Sequence, residues 1–259
     1  MSNTAICIVA NFKYLKRHLN NFTYELRTIG KFSGELILIT HLLTPTFLFP
    51  VLRRDKNITI IRKKNIKFSN NYKKIQLSFK PMDKPNRFKT KKFQWHKIYL
   101  FDYKMKNWDY IFYLDLNMHI HHDLNLVLNF KPKNIFSARA DGFPNYINKL
   151  ESQFQNGNDF FDKLSKNYDL NIKTYFQTGV MYFDTSIINN NTFNEIVNLA
   201  EEYPISITNE QGILNIYFIF IKKIFNELIN EVDNKLVYYY WVLPNKEIFI
   251  TKQLVEKYK

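Results

Sequence analysis

A chain of 259 residues with 46% hydrophobic and 17% aromatic content, and only six glycines and eight prolines, can bury a sizeable core, which excludes a disordered or fibrous protein. Its net charge of +14 is unevenly placed: Arg53 to Lys106 carries 18 Lys or Arg against three acidic residues, and the remainder sums to −1. Such an excess suits nucleic acid, an anionic membrane surface, a small phosphorylated substrate or simply a solvated lysine-rich face, and the dominance of lysine over arginine, with no zinc-finger or RNA-recognition pattern, argues against nucleic acid.

The start of the chain lacks a signal-peptide pattern, and no apolar stretch approaches the roughly 18 residues that span a bilayer. A soluble, cytoplasmic protein is therefore expected. Ala5 to Ala10 is a continuous apolar run, as in a strand buried on both faces. It contains Cys7, the single cysteine, which excludes an intramolecular disulfide and reads as a buried, inert thiol. Tyr14 to Ile29 has helical spacing, ended by Gly30. Glu35 to Thr40 and Asn57 to Arg62 read as further strands, separated by breaks at Pro45 and Pro50. Asn65 to Asn86 is polar and reads as a mobile loop, and Lys91 to Tyr103 as a helix leading into the strand before Asp115. Ile135 to Ala138 and Tyr175 to Asp184 read as strands, Gln153 to Tyr168 is ambiguous, Asn191 to Glu202 is a helix, and Gly212 to Asn230 a long helix. Leu236 to Leu243 is apolar and should pack back on the sheet. Alternating strands and helices predict a mostly parallel mixed α/β sheet flanked by helices, in one domain spanning 1–259. Ligands in such sheets bind beyond the carboxyl ends of the strands, so Asn11 and Tyr14, just past the first strand, and Asp115 and Asn117, at the end of a later one, could face a single crevice.

The run Trp108 to Leu114 ends in Asp115-Leu116-Asn117. On an extended segment, residues two apart share a face, so Asp115 and Asn117 could hold one hard cation, Mg²⁺ or Mn²⁺, with a substrate phosphate. A surface turn is the other reading. Lys97 lies on the preceding helix, either facing a diphosphate or on the helix surface. Gln177-Thr178-Gly179 sits between apolar residues, where glycine permits close backbone approach or marks a β-bulge. Asn209 is placed to cap a helix that has Glu210 and Gln211 in its first turn. His119, His121 and His122 read as ordinary strand or loop histidines, and no Cys-His spacing for zinc is present.

Taken in order, Asn11 with Tyr14, Lys97-Ile98, Tyr113-Leu114-Asp115-Leu116-Asn117, Gln177-Thr178-Gly179-Val180 and Glu210-Gln211-Gly212-Ile213-Leu214-Asn215 resemble glycosyltransferase family 8, the group containing glycogenin and the bacterial lipopolysaccharide galactosyltransferases. The resemblance runs from about Ile6 to Asn215 and implies the Rossmann-like GT-A fold. It also implies sugar transfer from a nucleotide-sugar donor, such as a UDP-sugar, with retention, to a glycan, protein or lipid-linked acceptor. A lipid-linked acceptor would bring peripheral contact with an anionic membrane. By this resemblance Ala10, Asn11 and Tyr14 hold the nucleotide and Asp115 and Asn117 bind Mn²⁺ or Mg²⁺. Lys97 steadies the departing diphosphate, Asp141 and Gly179 meet the donor sugar, and Gln177, Glu210 and Gln211 act at the reacting centre. The chain departs from the family pattern at Asn117 in place of Asp, Gln177 in place of Asn and Glu210 in place of Asp. It also has no histidine after His122, where the family supplies a late metal ligand. These departures admit a second expectation, a weak or inactive nucleotide-sugar-binding module.

Overall fold

The computed structural model describes residues 3–79 and 86–253. The apolar runs form strands as expected. β1 (Thr4–Val9), β2 (Leu36–His41), β3 (Ile58–Lys63) and β4 (Tyr110–Leu114) lie parallel in the order β3-β2-β1-β4. After the short β5 (His119–Ile120), the sheet is extended by β6 (Phe136–Ala140), β7 (Phe176–Asp184) and β8 (Phe225–Glu227), giving the full order β3-β2-β1-β4-β7-β6-β8. β7 is antiparallel to both its neighbours, and β8 is parallel to β6. A second sheet, β5-β11-β10-β9, joins β9 (Glu231–Val232), β10 (Lys235–Trp241) and β11 (Ile248–Gln253) to β5.

Period-two alternation sends the strand side chains into two separate cores. Ala5, Cys7, Val9, Ile37, Ile39, Ile111 and Tyr113 share one face with Trp95, Ile98 and Phe101 of the 3-10 helix Lys92–Phe101, and with Ile213 and Leu214 of the helix Glu210–Asn215. Ile6, Ile8, Leu36, Leu38, Phe112 and Leu114 face the other way. They pack on Leu15, Leu19 and Phe22 of the helix Phe12–Tyr24 and on Val237, Tyr238 and Phe249 of the second sheet. The segment from Leu236 thus does return to the main sheet, as a layer across it. Cys7 is wholly buried in β1, and burial pushes its thiol pKa well up. No helix among the described residues is long and apolar enough to cross a membrane.

Three elements differ from the sequence expectation. Within the polar stretch after Asn65, a helix forms over Asn70–Ser78, with the Ser69 hydroxyl accepting from Tyr72 N at 3.0 Å; residues 80–85 lie outside the described set. One buried aromatic, Tyr72, stacked on Phe68 at 4.2 Å, anchors it against polar composition. The segment expected as one helix over Lys91 to Tyr103 is wound as a 3-10 helix over Lys92–Phe101, and a second short one begins at Tyr103. The long helix expected over Gly212 to Asn230 starts at Glu210, ends in a π-helical turn at Ile216–Ile221, and gives way to β8. Lys223 turns there with φ of 55°, and Phe136 N donates to Ile224 O at 3.0 Å, beginning the pairing with β6.

After β1 the chain moves outward to β2 and β3, then returns to lay β4 on the other flank of β1. This reversal opens a crevice at the carboxyl ends of β1 and β4, where Ala10-Asn11 and Asp115 emerge.

Candidate active site

Two connected hollows fill that crevice, and Lys91, Gln94, Lys97 and Asp115 line both. One arm is completed by Ala10, Asn11, Tyr14 and Leu116. The other is completed by Asp141, Gln153, Gln177, Gly179, Gln211, Arg87 and Lys252, among others. The sequence-selected residues from β1's tip thus sit on one arm and those from β6, β7 and Gln211 on the other, with Lys97 and Asp115 at the junction.

Lys97 is buried, not a helix-surface lysine. Its ammonium donates to Thr178 O at 2.9 Å and Thr178 Oγ1 at 3.2 Å, and pairs with Asp115 Oδ1 at 2.9 Å and Glu210 Oε1 at 3.4 Å. Burial disfavours its charge, but Asp115 and Glu210 outweigh burial and raise its pKa. Asp115 is more heavily engaged. Lys252 Nζ lies 2.7 Å from its Oδ2, and Tyr113 OH donates to Oδ1 at 2.7 Å. Burial would raise this carboxyl, yet the ammonium groups of Lys252 and Lys97 hold it well below the usual carboxylate range.

Glu210 is only 1% exposed and lines neither arm. Thr178 Oγ1 donates to its Oε1 at 2.9 Å, and burial raises its pKa against the opposing charge of Lys97. Gln211 does reach the cleft. Its Nε2 donates to Gln153 Oε1 at 2.8 Å and its Oε1 accepts from Thr178 N at 3.2 Å, so the amide is fixed at both ends. Asn215, one turn on, clamps this helix to β7: Phe176 N donates to its Oδ1 at 2.8 Å and its Nδ2 donates to Phe176 O at 2.8 Å.

The pairing of β6 with β7 slips between Ala138 and Ala140, where two residues of advance on β6 face the stretch from Met181 back to Phe176. This bulge bows β7 at Gln177-Thr178-Gly179 and turns that segment toward the cleft. A Cβ on Gly179 would stand 3.0 Å from Met118 Cε and 3.6 Å from Asp115 Oδ2, so glycine leaves room for the Met118 side chain beside the carboxylate. Asp141 follows β6 and accepts from Tyr175 OH at 3.0 Å; burial raises its pKa despite that bond and the charge of Arg87.

Asn11 caps the helix Phe12–Tyr24, its Oδ1 accepting from Tyr14 N at 3.0 Å. Asn209 makes no side-chain cap on the helix Glu210–Asn215. It is buried with φ of 57°, and its Nδ2 donates to Gln94 Oε1 at 2.9 Å and Lys91 O at 3.2 Å. The expected cap is instead a tie to the segment that brings Arg87 and Lys91 to the cleft. A non-glycine residue at positive φ near a cleft is strain held by its surroundings. The basic excess between Arg53 and Lys106 is thus partly spent here, through Arg87, Lys91 and Lys97.

Sequence reasoning missed Lys252, Arg87, Lys91, Thr178 and Tyr113 as parts of this cluster. The basic excess pointed at Arg87 and Lys91, and Tyr113 and Thr178 stood within the motifs without a role of their own. Lys252 comes from β11, whose Thr251 pairs with His119, and nothing in the local sequence links it to Asp115.

No protein-family model matches the chain, and no curated protein sequence matches it. Solved structures do. The glycosyltransferase GlyE of Streptococcus pneumoniae TIGR4 is similar at a TM-score of 0.52 and 14% identity, over 89% of this chain and 46% of its own. The galactosyltransferase LgtC, solved with donor and acceptor sugar analogues, is similar at 0.54 and 13% identity, over 86% of this chain and 72% of its own. The fold is that of the GT-A glycosyltransferases. Core-mannan synthase A of Aspergillus fumigatus, in a Mn/GDP form, matches the GT-A chain at 0.54 and 12% identity, over 88% of this chain and 73% of its own. The GT-A chain spans under half the length of GlyE.

The GT-A chain's own donors do not fit a divalent ion. β4 stops at Leu114, and Met118 N donates to Asp115 O at 2.9 Å, closing a turn through Leu116 and Asn117. The same-face argument for an extended pair therefore does not apply, and Asn117 is not among the residues lining either arm. Both Asp115 oxygens face ammonium groups. His119 Nδ1 lies 3.1 Å from Glu25 Oε1, and His121 Nε2 lies 2.9 Å from Thr251 Oγ1, the structural roles expected of them. Among the described residues, no three His, Cys, Asp or Glu side chains gather as a metal site.

Proposed function

We propose that the chain transfers a sugar from a nucleoside-diphosphate sugar, a UDP-sugar by preference, to a hydroxyl of a glycan, protein or lipid-linked acceptor, with retention. The observation that carries this reading is the two-armed cleft with a cation-rich junction at the switch point of a GT-A sheet. In this reading Ala10, Asn11 and Tyr14 hold the base and ribose, Tyr14 offering a half-exposed ring. The diphosphate lies at the junction beside Lys97, and the sugar lies toward Asp141, Gln177, Gly179 and Gln211. The bond from the anomeric carbon to the phosphate oxygen breaks with its electron pair on the diphosphate. The acceptor oxygen bonds to that carbon on the same face, and its proton passes to the departing phosphate. Positive groups fixed where negative charge develops lower the barrier without reorganising.

Glu210 acts in this reading by positioning Lys97 and Thr178, since its burial keeps it from the sugar. Arg87, Lys91, Lys97 and Lys252 stand inside a cleft beside Asp115 and Asp141, which supports a small phosphorylated donor over nucleic acid. Mn²⁺ or Mg²⁺ at Asp115 and Asn117 enters only as a competitor for the place Lys252 holds. The buried Glu210 also favours a second reading, a nucleotide-sugar-binding module with little turnover.

The test is release of nucleoside diphosphate from a panel of UDP-, GDP-, CDP- and ADP-sugars, with calorimetric binding of each, in chelator and in Mn²⁺. At least one donor is expected to bind and turn over. Binding without turnover selects the second reading, and no binding by folded protein sinks both.

A further inference from the structure

We propose that Lys252 supplies, as part of the fold, the positive charge that a divalent ion would bring to the donor diphosphate, so that this cleft binds and uses its donor without metal. The proposal rests on the reading of the cleft as a nucleoside-diphosphate-sugar site. It goes beyond that reading by naming the source of charge at the junction.

Three observations carry it. First, Asp115, the one carboxylate lining the junction among the described residues, has both oxygens engaged by cations: Oδ2 faces Lys252 Nζ at 2.7 Å, and Oδ1 faces Lys97 Nζ at 2.9 Å and Tyr113 OH at 2.7 Å. A dication entering there would displace an ammonium or sit against two of them, and both arrangements oppose binding. Second, Lys252 is held by the sheet, not by a loop. β11 pairs with β10 from Leu236↔Ile248 to Trp241↔Gln253, and with β5 at Thr251↔His119. The adjoining Thr251 is completely buried. The sheet therefore fixes the backbone that carries Lys252, and Asp115 Oδ2 holds the ammonium at 2.7 Å before any ligand arrives, as electrostatic preorganisation requires. Third, Lys252 has company. Arg87, Lys91 and Lys97 line the same arm, so four cations, two of them held by Asp115, can match a diphosphate without a further ion. Lysine serves here as a point charge that needs no bidentate geometry.

The carboxylate then has a changed task. Asp115 holds two ammonium groups apart at set positions, instead of presenting oxygens to a metal. When a diphosphate enters, Lys252 keeps its bond to Asp115 and has further N–H groups for phosphate oxygens, whereas Lys97, whose N–H groups already face Thr178, Asp115 and Glu210, acts through its charge.

The test measures binding of UDP and GDP to the full chain by calorimetry, in chelator and in Mn²⁺, for wild type, Lys252→Ala and Lys252→Arg. It adds electron paramagnetic resonance of Mn²⁺ with wild-type protein alone. Wild type is expected to bind the preferred diphosphate equally well in both media and to leave the Mn²⁺ signal as that of the aqueous ion. Lys252→Ala should lose about tenfold or more in chelator, the effect of one charged hydrogen bond, and regain much of it in Mn²⁺, because an Asp115 oxygen is freed. Lys252→Arg should keep metal-free binding, which separates loss of charge from loss of fold. Binding by wild type that requires Mn²⁺, or that ignores Lys252→Ala in chelator, overturns the proposal while leaving the transferase reading intact. No binding of either diphosphate in any medium overturns both.

Discussion

Replacing Lys97 with methionine should lower the unfolding free energy by about 3–5 kcal/mol, the range for removing one partner of a buried ion pair. The ammonium stands between two carboxylates and a backbone carbonyl, with its side chain only 6% exposed at the floor of the cleft. Methionine fills most of the space but leaves Thr178 O and Glu210 Oε1 without that donor. Glu210 then escapes part of the penalty by taking up a proton, toward which burial already biases it. The pair Lys97→Met with Glu210→Gln should therefore recover a fraction of the loss, and a double-mutant cycle in urea gives the coupling. A drop below about 1 kcal/mol, the scale of an exposed pair, would mean that these contacts do not hold the site. Donor binding should vanish in Lys97→Met even where the protein is folded.

Asn215→Leu is the second large effect, at roughly 2–6 kcal/mol. Both polar groups of Phe176 lose their partner in a buried setting, at about 1–3 kcal/mol each, and the Nδ2 bond to Gln211 O at 2.9 Å goes with them. Leucine is close in size, so a cavity is not the cause. The function should suffer more than the stability. Asn215 joins the helix bearing Gln211 to the bulged part of β7, and a small rotation there carries the Gln211 amide away from Thr178 N. Asn215→Asp keeps an oxygen for Phe176 N but cannot donate to Phe176 O, so it should fall between the two. Urea unfolding gives the first quantity, and donor turnover at a temperature where each variant is folded gives the second.

The sheet was legible because its strands are continuous apolar runs that need both faces covered, as at Ile6-Cys7-Ile8 and Leu36 to Ile39. β8 was hidden for the opposite reason. Ile224 and Phe225 follow an apolar helical run closely, and only the turn at Lys223 separates them. Ser69 and Tyr72 mark a helix start, but a polar neighbourhood masks one buried tyrosine. In the cleft, the tips of β1, β4 and β7 could be read because each breaks an apolar run with a polar group. The Lys252 contact could not, since it spans 137 residues of chain and is set by how β11 registers on β5. Glu210 reads from sequence as a group at the sugar, and only the packing of Thr178 and Lys97 over it reveals its burial. Asn209 has the composition of a cap, yet its amide is drawn to Gln94 and Lys91 by the fold around it.

Cys7 gives the molecule a built-in reporter. The lone thiol lies at the centre of the sheet, under side chains of both neighbouring strands, with nothing of it reachable by solvent. An alkylating reagent must wait for the whole strand to come apart, so labelling with a thiol dye under native conditions should follow global opening and ignore breathing of the rim. A nucleotide that occupies the crevice above it should slow that reaction in proportion to its own affinity, which turns one buried sulfur into a scale for ranking donors without any acceptor in hand.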